Sequence, residues 1–250
     1  MAPSLTNTAS GMVYNDGYNS LNLSAFLNFR SDCTPIIESL SQQYGDVFGG
    51  YNLTLFGSNL GFSNNTSVLI DNIPCTLVSS NTSQITCLVG ARPKIPSQNT
   101  FTVIIDNNVA IIRSQFLYVL KWSDDRTWGV DLPPVADDIV FVPAGLTLLV
   151  DQSTPKLAGI AVQNGTIIFA NNTDITVNTA FIDVVGGQFI AGTEQQPLHS
   201  NLTFILYGGY YDAQQPIGGN KMIFCLECKF SMYGKPKKTW TTLANTVLTN

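Results

Sequence analysis

A chain of 250 residues is long enough to hold two domains with buried cores. Its formal charge of -5 and pI near 4.6 tell against nucleic acid as a partner, because binding a polyanion takes a basic stripe that displaces counterions from phosphates. Only 12% of residues are charged, with three Glu and eight Lys. The residues that coat soluble helices are therefore scarce, and the Asn, Thr, Ser, Val and Ile that replace them suit strands and turns, so the fold class expected is all-β.

Residues 1–33 are rich in Asn, Ser and Gly and read as a linker or the end of a preceding unit. From 34 to 120 the pattern is regular. Short apolar runs fall at Ile36-Ile37, Tyr51–Phe56, Ser67–Ile70, Cys75–Val78, Gln84–Val89, Phe101–Ile105, Val109–Arg113 and Gln115–Leu120. Turn signals separate them at Gly49-Gly50, Gly57, Gly61, Pro93 and Asp106-Asn107-Asn108, as a small β-sandwich requires.

Within this stretch stand Pro35-Ile36-Ile37-Glu38-Ser39-Leu40-Ser41, Gly45, Gly49-Gly50, Leu53-Thr54-Leu55-Phe56-Gly57-Ser58-Asn59-Leu60, Cys75, Cys87 and a closing Phe116-Leu117-Tyr118. In order and spacing the segment resembles an IPT/TIG domain. The resemblance implies an immunoglobulin-like fold with Cys75 bonded to Cys87, as in extracellular members. Intracellular members bind DNA through basic loops that this acidic stretch lacks.

A second regime covers 121–250. Its runs are Ile139–Val142, Leu146–Val150, Leu157–Val162, Thr166–Ala170, Ile175–Val177, Phe181–Val185, Gln188–Ile190, Leu202–Tyr207, Met222–Leu226 and Phe230–Tyr233. Tight connections at Pro143-Ala144-Gly145, Gln163-Asn164-Gly165, Gly186-Gly187 and Gly208-Gly209 supply bends without bulk. Strands buried on both faces and recurring at about ten residues or fewer suit a solenoid or a wound sandwich.

Several features of this half match one family in order. They are Trp122-Ser123, Thr127-Trp128-Gly129, Pro133-Pro134 before Asp138-Ile139-Val140, the Pro143-Ala144-Gly145 turn, Asp151, Gly165, and Gly186-Gly187-Gln188-Phe189-Ile190-Ala191-Gly192-Thr193-Glu194 followed by Pro197. The segment resembles an eight-glycine domain, which implies a glycine-rich β-solenoid or β-helix-like fold. Asn220-Lys221-Met222, Tyr233-Gly234-Lys235-Pro236 and Thr239-Trp240-Thr241-Thr242-Leu243 resemble the start of the β-helix that follows such a domain. Two departures stand out: Tyr233 where the family has His, and Glu227-Cys228 where it has a glycine pair. IPT/TIG followed by eight-glycine is the order found in fibrocystin-like ectodomains. Cell-surface hyaluronan-degrading proteins also carry the second domain.

Cys75 and Cys87 flank a Ser/Asn/Thr-rich turn, each beside a strand-like run, so a hairpin brings them to disulfide distance. Cys225 and Cys228 form a C-x-x-C without a βαβ pattern or further ligands, which leaves a second, local disulfide or two buried thiols. Cys33 is left over, to pair outside the chain or with either of that pair. Asn-x-Ser/Thr sequons at Asn22, Asn52, Asn64, Asn65, Asn81, Asn164, Asn171 and Asn201 point to a secretory route and N-linked glycans. Strand alternation sends Tyr51, Leu53 and Leu55 inward and Asn52 and Thr54 outward, and Asn201 and Thr203 stand likewise against Leu202, Phe204 and Leu206. No 18-residue apolar run spans a membrane, and residues 1–30 lack a signal-peptide pattern. Attachment to a membrane is thus expected only through parts outside this chain.

Catalytic chemistry is sparse. Asp124-Asp125 and Asp137-Asp138 are adjacent pairs whose members point apart on a strand, so neither forms a dyad, and turn-forming hydrogen bonds explain them better than a calcium site from Asp124, Asp125 and Asp138. His199 is the only histidine and lies in a polar loop; Glu194 sits in a glycine-rich turn that favours a structural role. Lys229, Lys235, Lys237 and Lys238 read as a solvated loop. Trp122 and Trp128 flank the domain junction, where packing the modules together outweighs stacking on sugar, and Trp240 lies near the end. No catalytic residue, metal site or cofactor is assigned. The function expected is an extracellular or cell-surface adhesion, receptor or structural module that contacts other extracellular proteins or a second copy. The alternative is the non-catalytic leading part of a polysaccharide-degrading β-helix protein.

Overall fold

The computed structural model describes residues 34–61, 65–93, 100–129, 132–194, 196–209 and 219–236, together with three strand assignments nearer the N-terminus. Those three, β1 (Ser4–Thr8), β2 (Gly11–Asn15) and β3 (Ser20–Asn22), form an antiparallel sheet of their own within the stretch read as a linker or the end of a preceding unit. Cys33, Asn64, Lys237, Lys238 and Trp240 lie outside the described residues.

The first module comprises β4 (Ile36–Leu40), β5 (Tyr44–Asp46), β6 (Asn52–Ser58), β7 (Thr66–Ile70), β8 (Ile73–Ser80), β9 (Gln84–Val89), β10 (Phe101–Ile105), β11 (Asn108–Val109), β12 (Ile111–Ile112) and β13 (Leu117–Lys121). Eight of these form one sheet in the order β11-β10-β7-β8-β9-β6-β4-β12. Its strands alternate as the sequence predicts: Leu53 and Leu55 are buried while Asn52 is exposed, so one face can be apolar without burying an amide. Cys75 and Cys87 lie diagonally across the β8–β9 ladder on that buried face and are bonded to each other.

The run Val109–Arg113 is not one strand. Asp106 and Asn107 both take positive φ, 49° and 64°, which closes a tight β10–β11 hairpin. Ala110 then donates back to the Val103 carbonyl, and β12 leaves to pair with β4 at the opposite edge of the sheet. Alternation within a run says nothing of a change of partner, so the sequence could not show the break.

The second module winds differently. Its strands are β14 (Ile139–Val142), β15 (Thr147–Val150), β16 (Gly159–Gln163), β17 (Thr166–Phe169), β18 (Ile175–Thr179), β19 (Phe181–Val185), β20 (Gln188–Ala191), β21 (Leu202–Leu206), β22 (Met222–Leu226) and β23 (Lys229–Met232). All their pairings are parallel. The chain visits the sheets in rotation: β14-β16-β19-β22 stack on one side, β15-β17-β20-β23 on another, and β18-β21 on a third. Val140, Ile160 and Ile182 share one inward row, Val142, Val162 and Val184 the next, and all six are nearly or wholly buried. Phe189 faces Phe230 across the β20–β23 ladder, with rings stacked 4.6 Å apart and 7° from parallel.

Each passage from the β14-β16-β19-β22 side to the next strand turns at a left-handed residue. Gly145 (φ 72°), Asn164 (53°), Gly186 (63°) and Glu227 (49°) occupy successive corners. Backbone bonds tie the corners together: Gly145 donates to Asn164, Asn164 to Val185 and Gly186 to Leu226. Asn and Gly tolerate this conformation, whereas a glutamate pays for its Cβ. The Glu227 corner is also the one bridged by the Cys225–Cys228 disulfide.

Strands β15 and β17 are buried on both faces, as the apolar runs led one to expect, but β14 is not. Ile139 and Phe141 point away from the core and are 61% and 53% exposed. An uninterrupted apolar run does not reveal which of its faces is covered.

Replacing Glu227 by Gly removes the Cβ penalty at the last corner, and is expected to raise the stability of the oxidised protein by about 0.5–1 kcal/mol. Chemical denaturation of the two proteins measures it, and an unchanged or lower midpoint for Glu227→Gly would contradict the assignment of strain to this corner.

Candidate functional site at the module junction

β13 belongs to both modules. Leu117, Tyr118 and Val119 pair in parallel with Tyr44, Gly45 and Asp46, and the next two residues, Leu120 and Lys121, pair in parallel with Leu148 and Leu149. The strand thus runs across the position where the sequence places the boundary. Trp122 follows, donating its backbone N–H to the Leu149 carbonyl, with its indole 2% exposed. Trp128 meets it edge to face, ring centroids 5.1 Å apart, and donates its indole N–H to the Trp122 carbonyl. These tryptophans pack the junction, which is the role that outweighed sugar stacking in the sequence.

Above them opens a cleft of about 550 Å³ lined by Asp46, Lys121, Ser123, Asp124, Asp125 and Arg126. Asp124 and Asp125 are not strand neighbours. Asp124 caps a single 3-10 turn, Asp125–Thr127, by accepting from the Arg126 N–H, and its carboxylate also binds the Arg126 guanidinium at 2.6 Å. That guanidinium lies 4.2 Å from the centre of the Phe48 ring in the first module. It also stands 3.8 Å from Asp46, whose carboxylate accepts from the Phe48 N–H. Ser123 donates its N–H and hydroxyl to Asp151, the residue that follows β15, which joins the cleft to the second module.

The two carboxylates titrate in opposite directions. The hydrogen bonds from Arg126 hold Asp124 down to about 2. Burial, with the neighbouring Asp124 charge, pushes Asp46 above the ordinary carboxylate range. The polar groups here fasten one module to the other, Asp124 through Arg126 and Ser123 through Asp151.

The remaining candidates are dispersed. Asp138 accepts from the Val135 N–H at its own turn, and among the described residues no group of three or more His, Cys, Asp or Glu could hold a metal ion. Asp124 and Asp138 each accept a backbone N–H within their own turn, the role the sequence favoured for them. His199 is exposed and donates its backbone N–H to Asn171, and Glu194 is exposed in a turn closed by Thr193 and Gln196. Lys229 and Lys235 are exposed, as a solvated loop requires. Cys225 and Cys228 are bonded to each other and carry no metal chemistry. Sequence reasoning missed the Asp46–Arg126–Phe48 contact, since 80 residues separate Asp46 from Arg126 and nothing in the chain between them signals the meeting.

Among the sequons, Asn52, Asn65 and Asn81 are exposed on the first module and Asn164, Asn171 and Asn201 on the second. Only strand placement is described for Asn22. The carboxamide of Asn171 bridges two loops, donating to the Pro197 carbonyl and accepting from His199, while that of Asn201 donates to Asp174.

Asp124, held low, contributes stability above the ordinary carboxylate range that is lost as pH falls toward 2. Asp46 has the opposite sign: its favoured neutral form stabilises at acid pH, and that contribution is lost as pH rises through the raised value. Asp124→Asn is expected to lower the thermal midpoint at pH 7, the deficit shrinking on acidification. Asp46→Asn keeps an acceptor for Phe48, removes the disfavoured charge and is expected to raise the midpoint at pH 7, the gain vanishing as wild type protonates. Thermal unfolding from pH 7 to pH 2 measures both, and equal losses for the two variants would refute the opposite signs.

Residues 35–119 match the IPT/TIG domain family and residues 127–244 the G8 domain family. The chain is 29% identical over 244 residues to fibrocystin-L of Mus musculus, an alignment covering 94% of this chain and 6% of that protein. It is 33% identical over 219 residues to fibrocystin-L of Homo sapiens, covering 85% of this chain and 5% of the relative. A shorter likeness, 32% over 76 residues, joins 30% of the chain to 4% of Plexin-2 of Caenorhabditis elegans. The chain thus corresponds to about one-twentieth of the length of the fibrocystin-L relatives. It is an all-β IPT/TIG domain followed directly by a G8 domain, similar to fibrocystin-L over most of its own length.

Proposed function

We propose that this chain is an extracellular module of a cell-surface protein, and that it offers rigid β-sheet surfaces to other proteins. The observation that carries this reading is the shared strand β13, which joins two domains through continuous backbone pairing and a buried tryptophan. A surface held this firmly loses little conformational freedom on binding, which favours recognition. The carboxylates that could have served chemistry are engaged structurally: Asp124 on Arg126, Asp138 on Val135, Asp151 on Ser123 and Asp174 on Asn201. Two disulfides and a spread of exposed sequons support an oxidising, secretory setting. Similarity to fibrocystin-L and, over 30% of the chain, to a plexin supports a receptor-like parent.

The test is peptide mapping of the protein made in a secretory eukaryotic host, under non-reducing conditions and with and without enzymatic glycan removal. Glycans are expected at Asn52, Asn65 and Asn81, with Cys75 bonded to Cys87, whereas Asn171 is expected bare because both ends of its carboxamide are in use. Unmodified sequons throughout, together with free thiols, would overturn the extracellular assignment.

A further inference from the structure

The outward face of the β14-β16-β19-β22 sheet carries two rows of side chains. Register aligns Ile139, Gly159, Phe181 and Met222 in one, and Phe141, Ala161, Asp183 and Phe224 in the other. In the first row the Phe181 ring fills the space a side chain at Gly159 would take. In the chain that leads into β14, Leu132 is 84% and Val135 59% exposed. Contiguous exposed apolar patches mark contact surfaces.

One charged group stands in these rows. Asp183 has an oxygen, Oδ1, that is sealed from solvent and has no hydrogen-bond partner. A carboxylate oxygen deprived of water and given no donor is a standing cost to the fold, and residues elsewhere on an outward sheet face would normally be Thr or Ser. Its neighbour across the ladder is Ala161, the smallest side chain of its row, which leaves room between Phe141 and Asp183. At the strand starts, Asp137 and Asp138 precede β14 and Lys221 precedes β22, so Asp183 is the charge that the two rows themselves carry. Strands lie about 4.8 Å apart, so Phe224 stands about 5 Å to one side of Asp183 and Phe141 about 10 Å to the other.

We propose that this face binds a segment of another protein that presents a lysine or arginine between apolar residues. The aliphatic stem of the basic residue crosses Ala161, its cation pairs with Asp183, and the flanking apolar side chains rest on Phe141 and Phe224. Charge complementarity selects the occupant, since a cation pairs with the half-buried Asp183 carboxylate through the oxygen that is not sealed, where an apolar or acidic side chain would not. The proposal deepens the protein-contact reading above. The glycan and disulfide mapping tests that reading with no peptide present, so the two can fail separately.

The probe is a capped synthetic peptide of alternating Val and Thr with one central Arg, set against the same peptide with citrulline, which keeps the shape and loses the charge. Backbone amide shifts of the whole chain, followed by NMR during titration, are expected to move in β14, β16, β19 and β22. Affinity for the Arg peptide is expected to be at least tenfold above that for citrulline. Asp183→Asn and Ala161→Leu should each remove that preference, and Glu38→Gln, on the first module, should leave it intact. Asp183→Leu serves as a second readout: without its unpaired carboxylate the free chain should unfold at a higher temperature while losing the peptide.

Equal binding of the two peptides, no binding, or a preference that survives Asp183→Asn would each overturn the proposal. So would a lower unfolding temperature for Asp183→Leu, which would make the aspartate structural. Concentration-dependent dimerisation abolished by Phe141→Ser but not by Asp183→Asn would assign the face to a second copy of the chain and overturn the charged partner.

Discussion

The double pairing of β13 is the constraint from which the architecture follows. A strand of five residues spends three on the first module and two on the second, so its backbone direction fixes both at once. Val119 and Leu120 are buried within the same strand, and Trp122 seals the core just beyond it. Flexible linkers permit domains to swivel, but a shared ladder does not, because bending it would break hydrogen bonds on both sides. The Arg126 contact with Phe48 and Asp46 then acts as a strut across a joint already fixed.

On that base the second module grows by repetition. Each coil needs the same three things: inward β-branched residues, a left-handed corner, and a neighbour to hydrogen-bond. Gly145, Asn164 and Gly186 meet the corner requirement at little cost, and the ladder of backbone bonds between corners holds them in line. Outward positions escape this rule. Phe141, Ala161 and Asp183 are free to vary with what the surface touches.

Much of this was legible in the sequence because burial imposes simple patterns. The runs Gln84–Val89 and Phe181–Val185 coincide with β9 and β19 in full, since apolar residues bounded by turn residues leave few alternatives. The Tyr44–Asp46 strand was not legible: Tyr-Gly-Asp has no apolar alternation, and it pairs only because β13 runs alongside. For the same reason β13 read as the end of one domain when it is also the start of the next. The junction cleft was not legible because its parts are far apart in the chain, although the turn-forming role read for Asp124 holds, since it caps the turn that Asp125 begins. Asp183 was hidden inside an apolar run, where the sequence gives parity but not which parity faces solvent.

The two disulfides differ in access. Cys75 and Cys87 are 5% and 0% exposed, inside the first core, whereas Cys225 stands at the surface on the last described coil. Thiol exchange requires that an attacking thiolate reach a sulfur along the S–S axis, so a mild reductant meets the outer bond first. Reduction would release the clamp on the Glu227 corner, the costliest turn of the winding, and leave the sandwich closed. The chain thus carries a graded response to its chemical surroundings, in which the last described coil loosens while the shared strand and the sandwich before it keep their shape.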